Sequence, residues 1–184
     1  MSEVIAEDHR LLLLLNGLGS EGYDQFWTLV SDRWVWIPLY LVILFLVYRN
    51  YKGRDFLYIL LFVGLGVALS DQLSNVAKYG FERLRPCNDP TLIPRMRRVT
   101  CGGPFGFYSA HASNAFFLAT FFTRVFKRFY GYWAYLLILW AAVVSYSRIY
   151  LGVHFPGDIF VGALMGFLLG GFMSTLALNT VYKR

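Results

Sequence analysis

Apolar residues in this chain run in long blocks separated by short charged turns, the pattern of helices that cross a bilayer. Trp34–Tyr48 is apolar, and the half-polar stretch Tyr23–Arg33 supplies the rest of a first span. Arg49, Lys52 and Arg54 form a basic turn. Phe56 opens a second span, polar from Ser70 onward, that runs to Arg85; Pro86 then pushes the preceding residue out of the helical region. At about 1.5 Å per residue this helix would cover about 45 Å, against about 30 Å of hydrocarbon. Lys78 and Arg85 are therefore expected at or beyond the membrane surface. A polar loop reaches Tyr108, and three further spans follow at Ser109–Phe126, Tyr132–Tyr150 and Pro156 to about Val181, the last closed by Lys183 and Arg184. Gly162, Gly166 and Gly170 recur every fourth residue and clear one face for close helix contact. Leu11–Leu15 is too short to span and follows Glu3, Glu7 and Asp8 rather than a basic region, so an interfacial helix is expected there instead of a signal peptide. The expected fold is an all-α integral membrane bundle, one domain over 1–184 with its chemistry in 56–181. It has about five transmembrane helices plus an N-terminal interfacial helix.

Composition agrees: 57% of the 184 residues are hydrophobic and only 15% charged, where soluble domains carry about 25% charged residues. The net charge of +6 could suggest nucleic acid, but the basic residues sit at the ends of apolar blocks. That placement suits lipid headgroups, and no nucleic-acid partner is expected. The basic turns at Arg49–Arg54 and Arg124–Arg128 and the C-terminus fall on one side, expected to be cytoplasmic. The loop with Arg95, Arg97 and Arg98 then lies outside against that bias, which invites a functional reading. Cys87 and Cys101 flank this loop; as two small apolar residues they would be unremarked, but their place outside favours a disulfide.

Three segments meet on the outer side by topology alone. One is the end of the second span, with Lys78 and Arg85 seven residues apart and so expected on one helix face. The others are Tyr108-Ser109-Ala110-His111 and the stretch Ser147-Arg148, His154, Asp158. Taken singly, Lys and Arg at a helix end snorkel to headgroups, and a lone interfacial His is a hydrogen-bonded aromatic. Together they make a phosphate cradle: Lys78, Arg85 and Arg148 supply charge, Arg forks fit phosphate oxygens, and two helix starts aim free amides at an anion. Asp158, four residues after His154, can hold one ring N–H and leave the other nitrogen to attack phosphorus. His111 is placed to protonate the departing oxygen. A metal on His111, His154 and Asp158 is disfavoured by the three cations beside it.

These residues resemble the type 2 phosphatidic acid phosphatase family, related to the vanadium haloperoxidases, whose motifs read K-x6-R-P, P-S-G-H and S-R-x5-H-x3-D. The resemblance covers Lys78 to Asp158. The first motif is complete in Lys78, Arg85 and Pro86, and the third in Ser147, Arg148, His154 and Asp158. The second departs, with Tyr108 in place of the proline and Ala110 in place of the glycine; alanine still offers the amide but alters the pocket. The resemblance implies that Lys78, Arg85, Ser109, Arg148 and the Ala110 and His111 amides bind phosphate. His154 would carry it as phosphohistidine, Asp158 would orient His154, and no cofactor would be needed. The implied activity is hydrolysis of a lipid phosphate or pyrophosphate at the outer face of a bacterial inner membrane, with undecaprenyl pyrophosphate first. Lipid A 1-phosphatase is the runner-up, on the Arg95–Arg98 cluster. Phosphatidylglycerol phosphate and phosphatidic acid, transfer of phosphate to a second lipid, and a catalytically silent lipid-binding or transport protein stay open.

Overall fold

The computed structural model describes residues 2–182; Met1, and the Lys183 and Arg184 expected to close the last span, lie outside the described residues. The described residues form seven α-helices: α1 (Ser2–Gly17), α2 (Asp24–Ser31), α3 (Ile37–Asn50), α4 (Arg54–Phe81), α5 (Ala110–Tyr130), α6 (Leu136–Tyr150) and α7 (Pro156–Tyr182).

The most intimate contact is between α5 and α7. A Cβ on Gly162 would lie 2.6 Å from the Ser109 carbonyl oxygen, one on Gly170 would lie 2.7 Å from that of Phe117, and one on Gly166 would strike the Ser113 carbonyl. The expected glycine face is thus pressed against the α5 backbone. Around it, Val47, Ile59, Phe117, Phe121 and Val125 form a fully buried apolar core. The outer faces stay apolar: Leu41 and Phe45 on α3, Leu57, Leu61 and Leu65 on α4, and Phe160, Phe167 and Phe172 on α7 are exposed. Water would penalise so much apolar surface, and lipid would not.

Among the described residues, three helical stretches are long and apolar enough to cross a membrane: Arg54–Phe81, Ala110–Tyr150 and Pro156–Tyr182. The middle one folds back at Gly131, whose φ of 56° suits a residue without a side chain, and α6 returns antiparallel along α5. The expected first span is a pair, α2 and α3, bent by 61°. Asp32 breaks it. Its backbone is extended (φ −80°, ψ 121°) and its carboxylate accepts the Trp34 N–H at 3.0 Å, starting a new turn. The expected five passes require this bent pair to count as one and the hairpin as two. At the N-terminus α1 lies against the ends of α6 and α7, with Leu12 buried among Leu92, Ile149 and Phe155. Asn16 fastens it, donating to the Arg97 and Tyr150 carbonyls at 3.0 and 2.8 Å and accepting the Arg97 N–H at 2.8 Å.

One expectation is overturned. The second span does not run to Arg85: α4 ends at Phe81, because Glu82 turns left-handed (φ 49°) with its N–H on the Lys78 carbonyl. Residues 83–85 are extended. Leu84 bridges Phe105, the Arg85 N–H donates to the Pro104 carbonyl at 2.9 Å, and the Gly106 N–H donates to that of Arg83 at 2.8 Å. Pro86 therefore shapes an extended Arg85 (φ −69°, ψ 152°) and not a helix end. Lys78 and Arg85 do not share a helix face. Arg83 and Arg85, two apart in an extended segment, share one instead.

Gly166→Ala should destabilise the bundle by about 1–3 kcal/mol, read as a lower thermal midpoint in detergent. Gly171→Ala, where a Cβ would meet nothing within 4 Å, should leave the midpoint unchanged or higher. Equal midpoints for the two variants would show that the glycine face is not what holds α5 to α7.

Candidate active site

His154 lies in the short connection between α6 and α7 and is buried. Its ring is held at both nitrogens. Arg85 Nη1 approaches Nε2 at 2.9 Å, and Asp158 Oδ2 lies 3.4 Å from Nδ1. A guanidinium can only donate, so Nε2 is the acceptor and Nδ1 carries the hydrogen that faces the carboxylate. Burial first, then the charges of Arg85, Arg148 and Lys78, push this imidazole well below its ordinary value, against an opposing backbone contact with Gly106. The ring is neutral, with a lone pair on Nε2. Gly106 closes over the pair; a side chain there would approach Arg85 Cγ, Asp158 Oδ2 and His154 Nδ1 at 3.1, 3.2 and 3.5 Å.

Asp158 is fully buried in the first turn of α7 and has four partners. Oδ2 accepts the Phe155 N–H at 3.0 Å as well as facing His154, Oδ1 takes Arg83 Nη1 at 2.9 Å, and its backbone carbonyl accepts the Ser109 N–H at 3.1 Å. The last bond ties the starts of α5 and α7 together. Ser109 caps α5, its Oγ accepting the Ala112 N–H at 3.4 Å, and the Ala110 and His111 amides open that helix. His111 lies within electrostatic reach of Arg148, His154, Arg85 and Lys78. Its ring lines an open cavity of about 400 Å³ between α3, α4, α5 and α6.

The cations around His154 are only partly paired. Arg148 donates to Ser31 Oγ on α2, and Lys78 Nζ finds Asn75 Oδ1 at 3.3 Å and Ser74 Oγ at 3.5 Å on its own helix. The Nε atoms of Arg85 and Arg148 are buried without a partner. Burial also pulls Arg85 below its ordinary range, with Asp158 opposing. An anion with several oxygens would satisfy these donors. A divalent metal would not fit: the Nε2 of His154 and the Oδ1 of Asp158 already face guanidinium groups. All eight residues singled out in the sequence, Lys78, Arg85, Ser109, Ala110, His111, Arg148, His154 and Asp158, thus converge.

Arg83 and Asp8 were not singled out. Arg83 bridges Asp158 and Asp8, with Nη2 2.6 Å from Asp8 Oδ2, and lies 4.0 Å over the Phe155 ring. The signal for Arg83 was present as a second arginine two positions before Arg85. Asp8 left none, because nothing in its neighbourhood of the chain points to residues so far away. The functional reading of the outer arginines is corrected at Arg97. It pairs with Asp24 at 2.7 Å and lies 5.4 Å from the centre of the Tyr150 ring, fastening α2 to α6. Cys87 and Cys101 are joined by a disulfide with Cα atoms 5.7 Å apart, closing the loop behind Arg85.

The PAP2 superfamily profile matches residues 59–182. The chain belongs to the PAP2 superfamily. A lipid A 4′-phosphatase of Bacteroides thetaiotaomicron is 36% identical over 86% of this chain and 72% of its own length. An undecaprenyl-diphosphatase of Sulfolobus acidocaldarius is 29% identical over 94% of this chain and 73% of that protein. The transmembrane PAP2-type phosphatidylglycerolphosphate phosphatase of Bacillus subtilis has the same fold. Its TM-score is 0.72 at 23% identity, covering 100% of this chain and 88% of that one. The protein is a membrane lipid phosphate phosphatase of PAP2 type. The PAP2 match takes in every residue from Lys78 to Asp158 and leaves out α1, with Asp8.

Cys87 and Cys101 should resist maleimide labelling in protein taken from the native membrane without reductant, and label after reduction. Labelling of both without reductant would contradict the bond.

Proposed function

We propose that this PAP2 phosphatase cleaves a phosphate monoester from a lipid A-type glycolipid through a phosphohistidine on His154, at the non-cytoplasmic membrane face. The observation that carries the reading is the ring of His154: neutral, with Nδ1–H toward Asp158 and the Nε2 lone pair turned to the cations. Phosphate entering there takes Arg85, Arg148 and Lys78 onto its oxygens, with the Ala110 and His111 amides at the α5 start. Nε2 then forms its bond to phosphorus as the bond from phosphorus to the ester oxygen breaks. His111 gives its proton to the departing oxygen. In the second half a water, its proton taken by His111, attacks the phosphohistidine and restores Nε2. Asp158 stays ionised throughout and stabilises the charge that builds on the ring. The outward orientation is supported by the basic turns Arg49–Arg54 and Arg124–Arg128 at the opposite end.

In-line attack places the leaving group on the side away from His154, in the cavity that His111 lines. Arg33, Asp71 and Asn114 line it together with Trp36, Tyr40 and Trp140. The leaving group of undecaprenyl pyrophosphate is a prenyl monophosphate, which would bring a second phosphate charge beside Asp71 and no ring to the aromatic side chains, whereas a glucosamine has hydroxyls for the polar groups and ring faces for the aromatic ones. That favours lipid A over undecaprenyl pyrophosphate, and the 36%-identical relative is a lipid A 4′-phosphatase. Undecaprenyl pyrophosphate is the second reading, supported by the relative at 29% identity.

The test is a panel in detergent with EDTA present: bis-phosphorylated lipid A, undecaprenyl pyrophosphate, phosphatidylglycerol phosphate and phosphatidic acid. Lipid A should release phosphate fastest, with loss of the 4′-phosphate by mass spectrometry. Tenfold faster release from undecaprenyl pyrophosphate would overturn the substrate. Activity lost in EDTA and restored by a divalent ion would overturn the metal-free mechanism. Phosphate found on a second lipid in place of free phosphate would overturn hydrolysis in favour of transfer.

A further inference from the structure

The helix α1 lies outside the part of the chain that the PAP2 match covers, yet it places a carboxylate two contacts from the His154 ring. Asp8 Oδ2 binds Arg83 Nη2 at 2.6 Å, Arg83 Nη1 binds Asp158 Oδ1 at 2.9 Å, and Asp158 Oδ2 faces His154 Nδ1 at 3.4 Å. The other oxygen of Asp8 accepts the Gly157 N–H at 2.8 Å, in the first turn of α7 that carries Asp158. The next residue of α1, His9, stacks on Phe155 at 5.0 Å, and Arg83 covers the same ring. Phe155 and Gly157, one and three residues after His154, are thus both gripped from α1. Asp8 is itself largely buried, its side chain 12% exposed, Asp158 is fully buried and Arg83 is 25% exposed, so water screens these pairs only in part.

We infer that Asp8 is a positioning residue for the reaction. By sharing Arg83 it keeps that guanidinium from drawing the whole negative charge of Asp158, and so leaves Asp158 free to orient and stabilise the His154 ring. Arg83 has two carboxylates to satisfy. With the Asp8 carboxylate removed, the full charge of Arg83 falls on Asp158, whose contact with Nδ1 is already the longest in the chain of four groups. The His154 ring then loses both its anchor and the charge that stabilises it as phosphorus bonds to Nε2. Asp8 touches neither substrate nor His154, so binding of phosphate by Arg85, Arg148 and Lys78 stays intact and the cost falls on turnover. This inference rests on His154 as the nucleophile.

Asp8→Asn separates this role from a merely structural one. Asparagine is nearly the same size and its oxygen can still accept the Gly157 N–H, so a role confined to capping α7 would survive the change. Steady-state kinetics on a soluble aryl phosphate, per molecule eluting as folded protein in detergent, should show kcat lowered about tenfold or more with KM within about twofold. In an Arg83→Gln background the same substitution should cost less than about twofold, because the element through which Asp8 acts is gone. Unchanged kcat in Asp8→Asn, a loss carried by KM alone, or full additivity with Arg83→Gln would each overturn the inference. His154→Ala in the same assay keeps the two questions apart. If it is inactive while Asp8→Asn matches wild type, only the role of Asp8 fails; if it stays active, the nucleophile assignment fails and Asp8 with it.

Discussion

The backbone contact between α5 and α7 is the constraint on which the site depends. Gly162, Gly166 and Gly170 let the two helices approach until carbonyl oxygens of one lie where side chains of the other would be. At the outer end of that contact the Ser109 N–H reaches the Asp158 carbonyl. This bond fixes two helix starts side by side, so the amides of Ala110 and His111 and the carboxylate of Asp158 share one small volume. A wider separation would leave His154 facing Asp158 but remote from the α5 amides that the proposed mechanism sets against the phosphate. The packing that makes a bundle in lipid, where close backbone approach replaces the hydrophobic effect as the source of helix association, therefore also builds the anion site.

Charge is the second constraint. Lys78, Arg85 and Arg148 are drawn toward a buried histidine with too few carboxylates to balance them, and two buried Nε atoms have no partner. Such an arrangement is costly when empty and is relieved by an oxyanion. It also pushes His154 toward the neutral form, which the proposed nucleophile requires, while Asp158 faces the other side of the ring with a negative charge. Arg83 and Asp8 sit behind that carboxylate, on the side away from Nε2 of His154. In the proposed mechanism the cations in front of the ring bind the substrate, and the paired charges behind it hold the ring's orientation.

Much of this was legible in the sequence because it is local. Apolar blocks marked the helices, and glycine at every fourth position marked a face of α7 for close contact without naming its partner α5. His154 and Asp158 are four residues apart in one turn. The rest depended on chain geometry that composition does not encode. The polar end of α4 read as continuous helix to Arg85, because one left-handed residue, Glu82, leaves no mark comparable to glycine. Missing that turn moved Arg85 onto the wrong element and hid Arg83 beside it. Asp32 likewise bends the first span through a cap that looks like one polar residue in a half-polar stretch. The Arg95–Arg98 cluster invited function, but Arg97 is held by Asp24. Its partner is an acidic residue of α2 that no spacing rule connects to the loop.

The central claim is that Nε2 of His154 becomes bonded to phosphorus. The direct measurement is to mix enzyme with ³²P-labelled substrate, quench in base within the turnover time, digest with protease and locate the label by mass spectrometry. The account predicts a phosphate stable to base and released by acid, as phosphoramidates are, on the peptide containing His154 and absent from His154→Ala. Label on His111 or any other residue, or turnover with no trapped phosphate although product appears in a pre-steady-state burst, would contradict it.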